Sequence, residues 1–205
     1  MNLPRTLYSK LFSSKGFSFL NDKLLSLALA ARGYNNYENG AASGENFFIE
    51  SVLSKTNPSL CFDVGANVGN VSLALLKSTN SRVVAFEPMP EAYEGLLERT
   101  SCYENRICCE NSGVGSVNKK LEIYYNPSNL EHASFETDIT GVEYVSNKKN
   151  LEVEVVTLDK YCHNNGIEHI DFIKIDTEGH EMKVFQGAKN VFGRIRPKFI
   201  QIEFN

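Results

Sequence analysis

From residue 59 onward, short apolar runs alternate with longer amphipathic runs, and this alternation limits the fold more than any other feature. Apolar strands separated by helices are typical of a mostly parallel sheet with helices on both faces. We therefore predict a doubly wound α/β domain with five parallel strands. The predicted strands are residues 60–64, 82–86, 107–109, 170–175 and 198–204, and the predicted helices are residues 68–77, 91–100 and 181–192.

The parallel pattern is interrupted between the third and fourth predicted strands. Residues 120–125 and 151–156 alternate polar with apolar side chains, as half-exposed antiparallel strands do. The polar stretch 126–150 between them is predicted to be a long loop, and long loops in compact domains are usually functional or disordered. The sequence thus predicts an antiparallel insert within the parallel sheet.

The first 57 residues have a different character. They carry helix-like spacing in two places and a Gly/Asn-rich run at residues 33–44, which predicts a helical lead-in with a joint. A short helix over residues 45–55 would end before Pro58, because the residue preceding proline avoids the helical region. We therefore divide the chain into a lead-in, residues 1–57, and one α/β domain, residues 58–205.

The amino-acid composition limits where the protein is expected in the cell and which partners it is expected to bind. The net charge of −4 offers no basic face for nucleic acid and favours a small-molecule or neutral partner. The five cysteines are odd in number and show no CxxC pair, so we expect reduced, mostly buried thiols. No apolar stretch approaches the roughly 18 residues of a spanning helix, and charged residues interrupt any signal-peptide core. We expect a cytoplasmic protein with no membrane span.

The first predicted strand runs into a glycine turn that opens a helix. Gly65 permits the bend, and Gly69 permits close approach of a ligand or of a facing helix. Asp63 ends the strand, where open α/β sheets bind ligands. The spacing is GxxxG after an acid rather than the GxGxxG of dinucleotide sites. A carboxylate here suits the ammonium and sulfonium of S-adenosylmethionine better than a pyrophosphate; a tight turn with no ligand is the alternative.

A second acid follows the second predicted strand. Glu87 lies about 24 residues beyond Asp63, close to the spacing of the acid that binds a ribose diol in nucleotide-binding sheets. A solvated acid at the end of a strand is the alternative interpretation. Together with the glycine turn, Glu87 predicts a site for an adenosyl ligand.

Residues 173–181 place several polar groups between a buried strand and a helix. Capping of the helix explains Glu178 and Glu181, because acids are stabilised near a helix amino terminus. Capping explains Asp176 and His180 less well, since a histidine gains nothing from the positive end of the helix dipole. All four side chains, Asp176, Glu178, His180 and Glu181, are expected to face the same crevice as Asp63.

Three segments, residues 63–70, 86–88 and 173–181, together resemble the FkbM family of methyltransferases and occur in the family's order. The resemblance implies a class I, Rossmann-like methyltransferase fold. It also implies methyl transfer from S-adenosylmethionine, typically to a hydroxyl of a sugar, glycan or secondary metabolite. It assigns the methionine end of the cofactor to Asp63, Gly65, Asn67 and Gly69 and the ribose to Glu87, and it places residues 111–115, including Ser112, near the adenine.

Methyl transfer to a hydroxyl is helped by a base. His180 is the first candidate because its ordinary pKa is near 6.5, and Asp176 or Glu178 is the alternative. Orientation of the acceptor, or a purely structural role, is also open. A metal-chelating site is not assigned, because the sequence offers no second, distant acid and amide pair. His132, in the predicted loop 126–150, is a further candidate for contact with the acceptor.

The resemblance leaves the sheet two strands short, since a class I methyltransferase sheet usually has seven strands. Either the insert strands complete it, or a partner chain does, or the carboxyl end is shortened and leaves an open edge, which could pair in a homo-oligomer. Two rival functions stay open at this point. They are a nicotinamide-dependent oxidoreductase and a truncated, non-catalytic cofactor-binding domain.

Overall fold

The computed structural model describes residues 8, 12–31, 45–126, 129–135 and 149–203. The chain divides into two compact units, Met1–Phe48 and Ile49–Asn205. The helices are α1 Ser18–Ala31, α2 Glu45–Ser51, α3 Asn70–Ser78, α4 Pro90–Thr100, α5 Leu158–Asn164 and α6 Glu181–Gln186, with a π-helix at Val191–Ile195. The strands are β1 Leu60–Val64, β2 Arg82–Phe86, β3 Ile107–Glu110, β4 Gly113–Val114, β5 Lys119–Asn126, β6 Asn129–Ser134, β7 Lys149–Val156, β8 Phe172–Ile175 and β9 Phe199–Ile202.

Five of the strands form one sheet in the order β3-β2-β1-β8-β9. Every neighbouring pair in this sheet is parallel. The strand order reverses between β1 and β8, so the carboxyl ends of these strands form the crevice where sheets of this kind bind ligands. The predicted five-stranded parallel sheet is confirmed.

The two faces of this sheet differ in character. Phe62, Val64, Ile173 and Ile175 point to one face and belong to a core completed by the buried side chains of α5, α6 and the π-helix. Residues between them in sequence point to the opposite face, because side chains alternate along a strand. There α3 and α4 pack, and Ala85 contacts Leu96 of α4. Helices therefore cover both faces, which confirms the doubly wound architecture.

The insert forms a separate sheet. Its order is β4-β7-β5-β6, with β5 antiparallel to both β6 and β7. The two antiparallel strands predicted from alternation are confirmed. The prediction of a loop over residues 126–150 is wrong, because residues 129–134 form β6, which pairs with β5. Residues 136–148 of that stretch lie outside the described residues.

The insert does not extend the parallel sheet, which rules out the first of the three alternatives, that the insert strands complete that sheet. In the described part of the chain, β3 and β9 are the outer strands of the five-stranded sheet. Helix α5 was also not predicted; it has only seven residues and begins where the Thr157 side chain accepts a hydrogen bond from the Lys160 N–H.

The cysteines correct a further expectation. All five are free thiols, but only Cys61 and Cys162 are buried, while Cys102 and Cys108 are exposed. The expectation of mostly buried thiols is therefore wrong, because Cys108 lies on β3 at the outer edge of the sheet and Cys102 lies in the 3₁₀ turn after α4. Among the helices of the described ranges, none has both the length and the apolar character needed to cross a bilayer.

The amino ends of β1, β8 and β9 are joined by one buried carboxylate. Asp171 is 2% exposed and accepts hydrogen bonds from the Ser59 N–H at 2.7 Å and from Lys198 Nζ at 2.6 Å. His169 Nε2 lies 3.0 Å from the same carboxylate. Burial alone would raise the pKa of Asp171, but the hydrogen bonds from Lys198, Ser59 and His169 outweigh it and hold that pKa below its usual range.

Asp171→Asn is expected to lower the free energy of unfolding by about 1.5–3 kcal/mol at pH 7, because hydrogen bonds to a charged partner are lost. Since the folded pKa is depressed, the wild-type advantage is present above about pH 4 and is lost as the pH falls toward the folded pKa. Urea unfolding at pH 7 and pH 3 measures both effects. His169→Ala, at a half-exposed position, is the matched control with a smaller expected loss. Equal stability of Asp171→Asn and wild type at pH 7 would contradict this role.

Candidate functional site

Acidic side chains gather at the carboxyl ends of the parallel strands, on the face covered by α3 and α4. In the strand register, Asp63 of β1 lies beside Lys174 of β8. One step beyond the strands, Asp176 and Glu203 both lie within 3.5 Å of Lys174 Nζ. Glu87 follows β2, and the charges of Asp63 and Asp176 both act on its carboxylate. Four carboxylates thus converge on one edge of the sheet.

Glu87 joins the glycine turn to the exit of β2. Its carboxylate is 6% exposed; Oε2 accepts a hydrogen bond from the Asn67 N–H at 2.7 Å, and Oε1 accepts one from the Met89 N–H at 2.8 Å. Burial raises the pKa of Glu87 to about 7, against the lowering effect of these two backbone hydrogen bonds. The nearby charges of Asp63 and Asp176 raise it further. Glu87 is therefore a fixed carboxylate that titrates near neutral pH.

Asp63 lies deeper, beneath the turn. Its side chain is buried, and Oδ2 accepts a hydrogen bond from Ser72 Oγ of α3 at 2.6 Å. The Ser72 hydroxyl is a partner that the sequence analysis did not identify; its place in the first turn of a helix directly after the glycine turn was the available signal. Asp63 is therefore buried, and its charge raises the pKa of the Glu87 carboxyl.

The glycine turn has a left-handed backbone at three positions. Gly65 and Gly69 both have φ of +83°, and Asn67 has φ of +48°. A Cβ atom on Gly65 would overlap the carbonyl oxygen of Asp176, and one on Gly69 would lie 2.6 Å from Leu96 Cδ1. Gly69 was expected to allow close approach either of a ligand or of a facing helix. The structure shows the approach of a helix, α4. The conformation of Asn67 directs its N–H to Glu87.

The exit of β3 contributes a further contact. Ser112 is buried, and its N–H donates to the Glu110 carbonyl at 2.8 Å. The preceding residue, Asn111, donates from Nδ2 to the Glu87 carbonyl at 2.9 Å. Asn111 was named in the sequence analysis only as part of a segment, although an amide directly after a strand was the signal for it. Asn111 therefore borders the backbone of Glu87 and Pro88.

The turn between β8 and α6 is held by Glu181. Its buried Oε1 accepts hydrogen bonds from the Thr177 N–H at 3.0 Å, the Thr177 hydroxyl at 3.0 Å and the Gly179 N–H at 3.1 Å. Glu181 lies in the first turn of α6, as the capping prediction requires, but its hydrogen bonds hold the turn that precedes the helix. Glu178 occupies the left-handed region, with φ of +50°, and is partly exposed within this turn.

His180 and Asp176 lie in different surroundings. His180 is 6% exposed, and its ring centroid lies 4.6 Å from that of Phe135, next to the insert. A Cβ atom on Gly115 would lie 3.0 Å from His180 Nε2, so the imidazole also packs against the backbone that follows β4. Asp176 instead faces Lys174 and Glu203. The backbone of His132 lies in β6, and its side chain is outside the described set.

The balance of charge at the edge favours a cation. Burial raises the pKa of Asp176 to about 6; Lys174 lowers it and Glu203 raises it again. Among the described residues named here, four carboxylates face one lysine. Such an edge attracts a sulfonium or ammonium group and repels a pyrophosphate, and a fixed carboxylate such as Glu87 can accept hydrogen bonds from a diol. These carboxylates thus match the positive charge and the ribose hydroxyls of S-adenosylmethionine.

Comparison with known proteins shows which protein family this chain matches. The model described as "Methyltransferase FkbM domain" matches residues 63–205. The hexuronic acid methyltransferase AglP of Haloferax volcanii is 24% identical over 160 residues, which cover 78% of this chain and 62% of AglP. The 2-O-methyltransferase NoeI of Sinorhizobium fredii is 28% identical over 175 residues, which cover 77% of this chain and 67% of NoeI. The chain thus spans less than two thirds of AglP and about two thirds of NoeI.

A solved structure from Pyrococcus horikoshii, described as an RNA methyltransferase, matches with a TM-score of 0.42 and 13% identity. The match covers 74% of this chain and 54% of that chain. A likeness this distant does not bear on function.

Gly65→Ala is expected to destabilise the protein far more than Gly166→Ala, because a side chain at residue 65 would overlap the Asp176 backbone. Gly166 also has a positive φ, but nothing lies within 4 Å of an added Cβ, so its substitution costs only the left-handed strain of about 1–2 kcal/mol. Urea unfolding of both variants measures the difference. Equal losses would show that the close approach at Gly65 is not a constraint.

Proposed function

Because the chain belongs to the FkbM family of methyltransferases, we propose that it transfers a methyl group from S-adenosylmethionine to a hydroxyl of a sugar, glycan or related secondary metabolite. The observation that carries this proposal is the acidic edge of the sheet, where Glu87 is fixed beside the glycine turn. A sulfonium cofactor with a ribose diol matches this edge in charge and in hydrogen-bonding capacity.

The cofactor would lie along the edge from β1 to β3. Glu87 would accept hydrogen bonds from the ribose hydroxyls, since each of its oxygens has a lone pair beyond the one used by a backbone N–H. Gly65, Asn67 and Gly69 would border the methionine end, with the charge of Asp63 beneath them. Ser112 would border the adenine. When bound, the cofactor supplies an electrophilic methyl group.

The acceptor class is supported by the relatives. AglP is named for methylation of a hexuronic acid and NoeI for 2-O-methylation, and both names describe transfer to a sugar or to an oxygen. The acidic edge and the net charge of −4 favour a neutral acceptor in this chain. We therefore propose a sugar hydroxyl as the acceptor, with neutral sugars assayed first and a hexuronic acid, the acceptor class named for AglP, assayed beside them.

A base would remove the hydroxyl proton, and His180, Asp176 and Glu178 are the three candidates. An imidazole is a common general base, but the ring of His180 packs against Phe135 and the Gly115 backbone, beside the insert. Glu178 is partly exposed in the turn that Glu181 holds. Asp176 directly adjoins the glycine turn through its carbonyl. This placement supports Asp176 over the other two.

The proposal predicts that the purified protein binds S-adenosylmethionine and transfers labelled methyl groups to members of a neutral sugar panel. Glu87→Gln is expected to weaken cofactor binding about 10- to 150-fold, equivalent to about 1.5–3 kcal/mol, because a charged acceptor of ribose hydrogen bonds is lost. Isothermal titration calorimetry measures the dissociation constant.

Glu168→Gln, which removes an exposed acid elsewhere, is the matched control and should leave binding unchanged. Thermal unfolding of each variant shows whether it is folded at the titration temperature, because Glu87 also holds two backbone N–H groups. Binding of NAD without binding of S-adenosylmethionine would replace this proposal with an oxidoreductase. Cofactor binding with no transfer to any acceptor would favour a non-catalytic domain.

Cofactor affinity is expected to depend on pH through Glu87, whose pKa in the free protein is raised to about 7. The ionised carboxylate is the form that accepts ribose hydrogen bonds, so affinity is constant above about pH 8 and falls as the pH drops below 7. The fall should approach roughly tenfold per pH unit. Titrations between pH 5.5 and 8.5 measure it, and Glu87→Gln should lose the step near pH 7. A dissociation constant that does not change over this range would contradict the assignment.

A further inference from the structure

Lys174 is a charged residue in the middle of a buried strand. It is 3% exposed, and the other three residues of β8 are apolar and fully buried. In the register it lies between Asp63 of β1 and Gln201 of β9, on the polar face of the sheet. Burying an ammonium is costly unless it is paired, so the position of Lys174 requires a reason.

Two carboxylates beyond the strand ends share this ammonium. Lys174 Nζ donates to Asp176 Oδ2 at 3.2 Å and to Glu203 Oε2 at 3.5 Å. With all three groups ionised, the cluster carries one net negative charge. Lys174 therefore orients both carboxylates without neutralising them.

The second carboxylate oxygen of Asp176, Oδ1, differs from Oδ2 in its hydrogen bonding. Oδ1 is buried and has no hydrogen-bond partner among the residues that the structure describes. The backbone of Asp176 is fixed, because its N–H donates to the Val64 carbonyl at 2.9 Å and its own carbonyl oxygen adjoins Gly65. One carboxylate oxygen is thus held by Lys174, and the other has no partner among the described residues, on a residue whose carbonyl adjoins the glycine turn.

We propose that Asp176 accepts the proton of the acceptor hydroxyl and that Lys174 and Glu203 are positioning residues for its carboxylate. The inference rests on the proposed methyl transfer. As the acceptor oxygen forms its bond to the methyl carbon, the carbon–sulfur bond breaks and its electron pair stays on sulfur. The hydroxyl proton passes to Asp176 Oδ1, and the resulting carboxylic acid later releases it to water.

The surrounding charges set the basicity of Asp176. Burial raises its pKa to about 6, Lys174 opposes this, and Glu203 adds to it. The charged groups that face this edge are Lys174 on the same strand, Glu203 beyond β9, Asp63 on β1 and Glu87 beyond β2. The carboxylate is thus largely ionised at neutral pH while more basic than an ordinary aspartate, as general base catalysis requires.

The first measurement titrates the Asp176 carboxyl by carbon-13 NMR in the cofactor-free protein. Lys174→Met should raise its pKa, because an opposing positive charge is removed, and Glu203→Gln should lower it, because a like charge is removed. Glu168→Gln, which removes an exposed acid, should leave it unchanged. A merely structural role for Lys174 and Glu203 would not shift the pKa in opposite directions, so an unmoved pKa in both variants overturns the positioning role.

The second measurement follows methyl transfer at saturating cofactor. Asp176→Asn should lower kcat about 10²- to 10⁴-fold while the dissociation constant of S-adenosylhomocysteine stays within a few-fold of wild type. The acid limb of the pH profile should move up in Lys174→Met and down in Glu203→Gln. Asp176→Glu keeps the charge and tests position; it should recover at most part of the rate. Wild-type kcat in Asp176→Asn overturns the role of Asp176 as base.

The two proposals fail in different ways. Failure of the wild-type protein to bind S-adenosylmethionine or S-adenosylhomocysteine refutes the proposed function and, with it, the role of Asp176 in methyl transfer. Cofactor binding and transfer that persist in Asp176→Asn leave the proposed function intact and refute this inference alone.

Discussion

The hydrogen bonds from the Asn67 and Met89 N–H groups to the buried Glu87 carboxylate are the interaction on which the site depends. They join the turn after β1 to the exit of β2, so the two segments that would border a cofactor are held in one arrangement. The turn can only lie there because Gly65 lets the chain pass against the Asp176 carbonyl. The Glu87 carboxylate and the absence of a Cβ atom at Gly65 thus allow the carboxyl ends of β1, β2 and β8 to lie together.

The polar face of the sheet follows from the same constraint. Burying carboxylates is unfavourable, and the acids at this edge are compensated locally: the buried Asp63 by the Ser72 hydroxyl, the buried Glu87 by backbone N–H groups, and the partly buried Asp176 by Lys174. The compensation is incomplete, as the raised pKa values of Glu87 and Asp176 show. Because negative charge at this edge is only partly compensated by the protein, a bound cation would stabilise it.

The fold was largely predictable because strand and helix periodicities are local properties of the sequence. The acids near the ends of β1 and β2 were predictable for the same reason, since Asp63 is the second-last residue of an apolar strand and Glu87 directly follows one. The contact between Lys174 and Glu203 was not predictable, because it depends on which strand lies beside β8 and in what register. The direction of His180 depends likewise on the insert, whose strand β6 is short and polar and lacks a clear alternation.

A crystal structure of the protein with S-adenosylhomocysteine bound tests the central claim most directly. The account predicts that the ribose hydroxyls lie within hydrogen-bonding distance of the Glu87 carboxylate and that the amino acid portion lies along residues 65–69. A ligand bound elsewhere on the protein, or with its ribose turned away from Glu87, would contradict it.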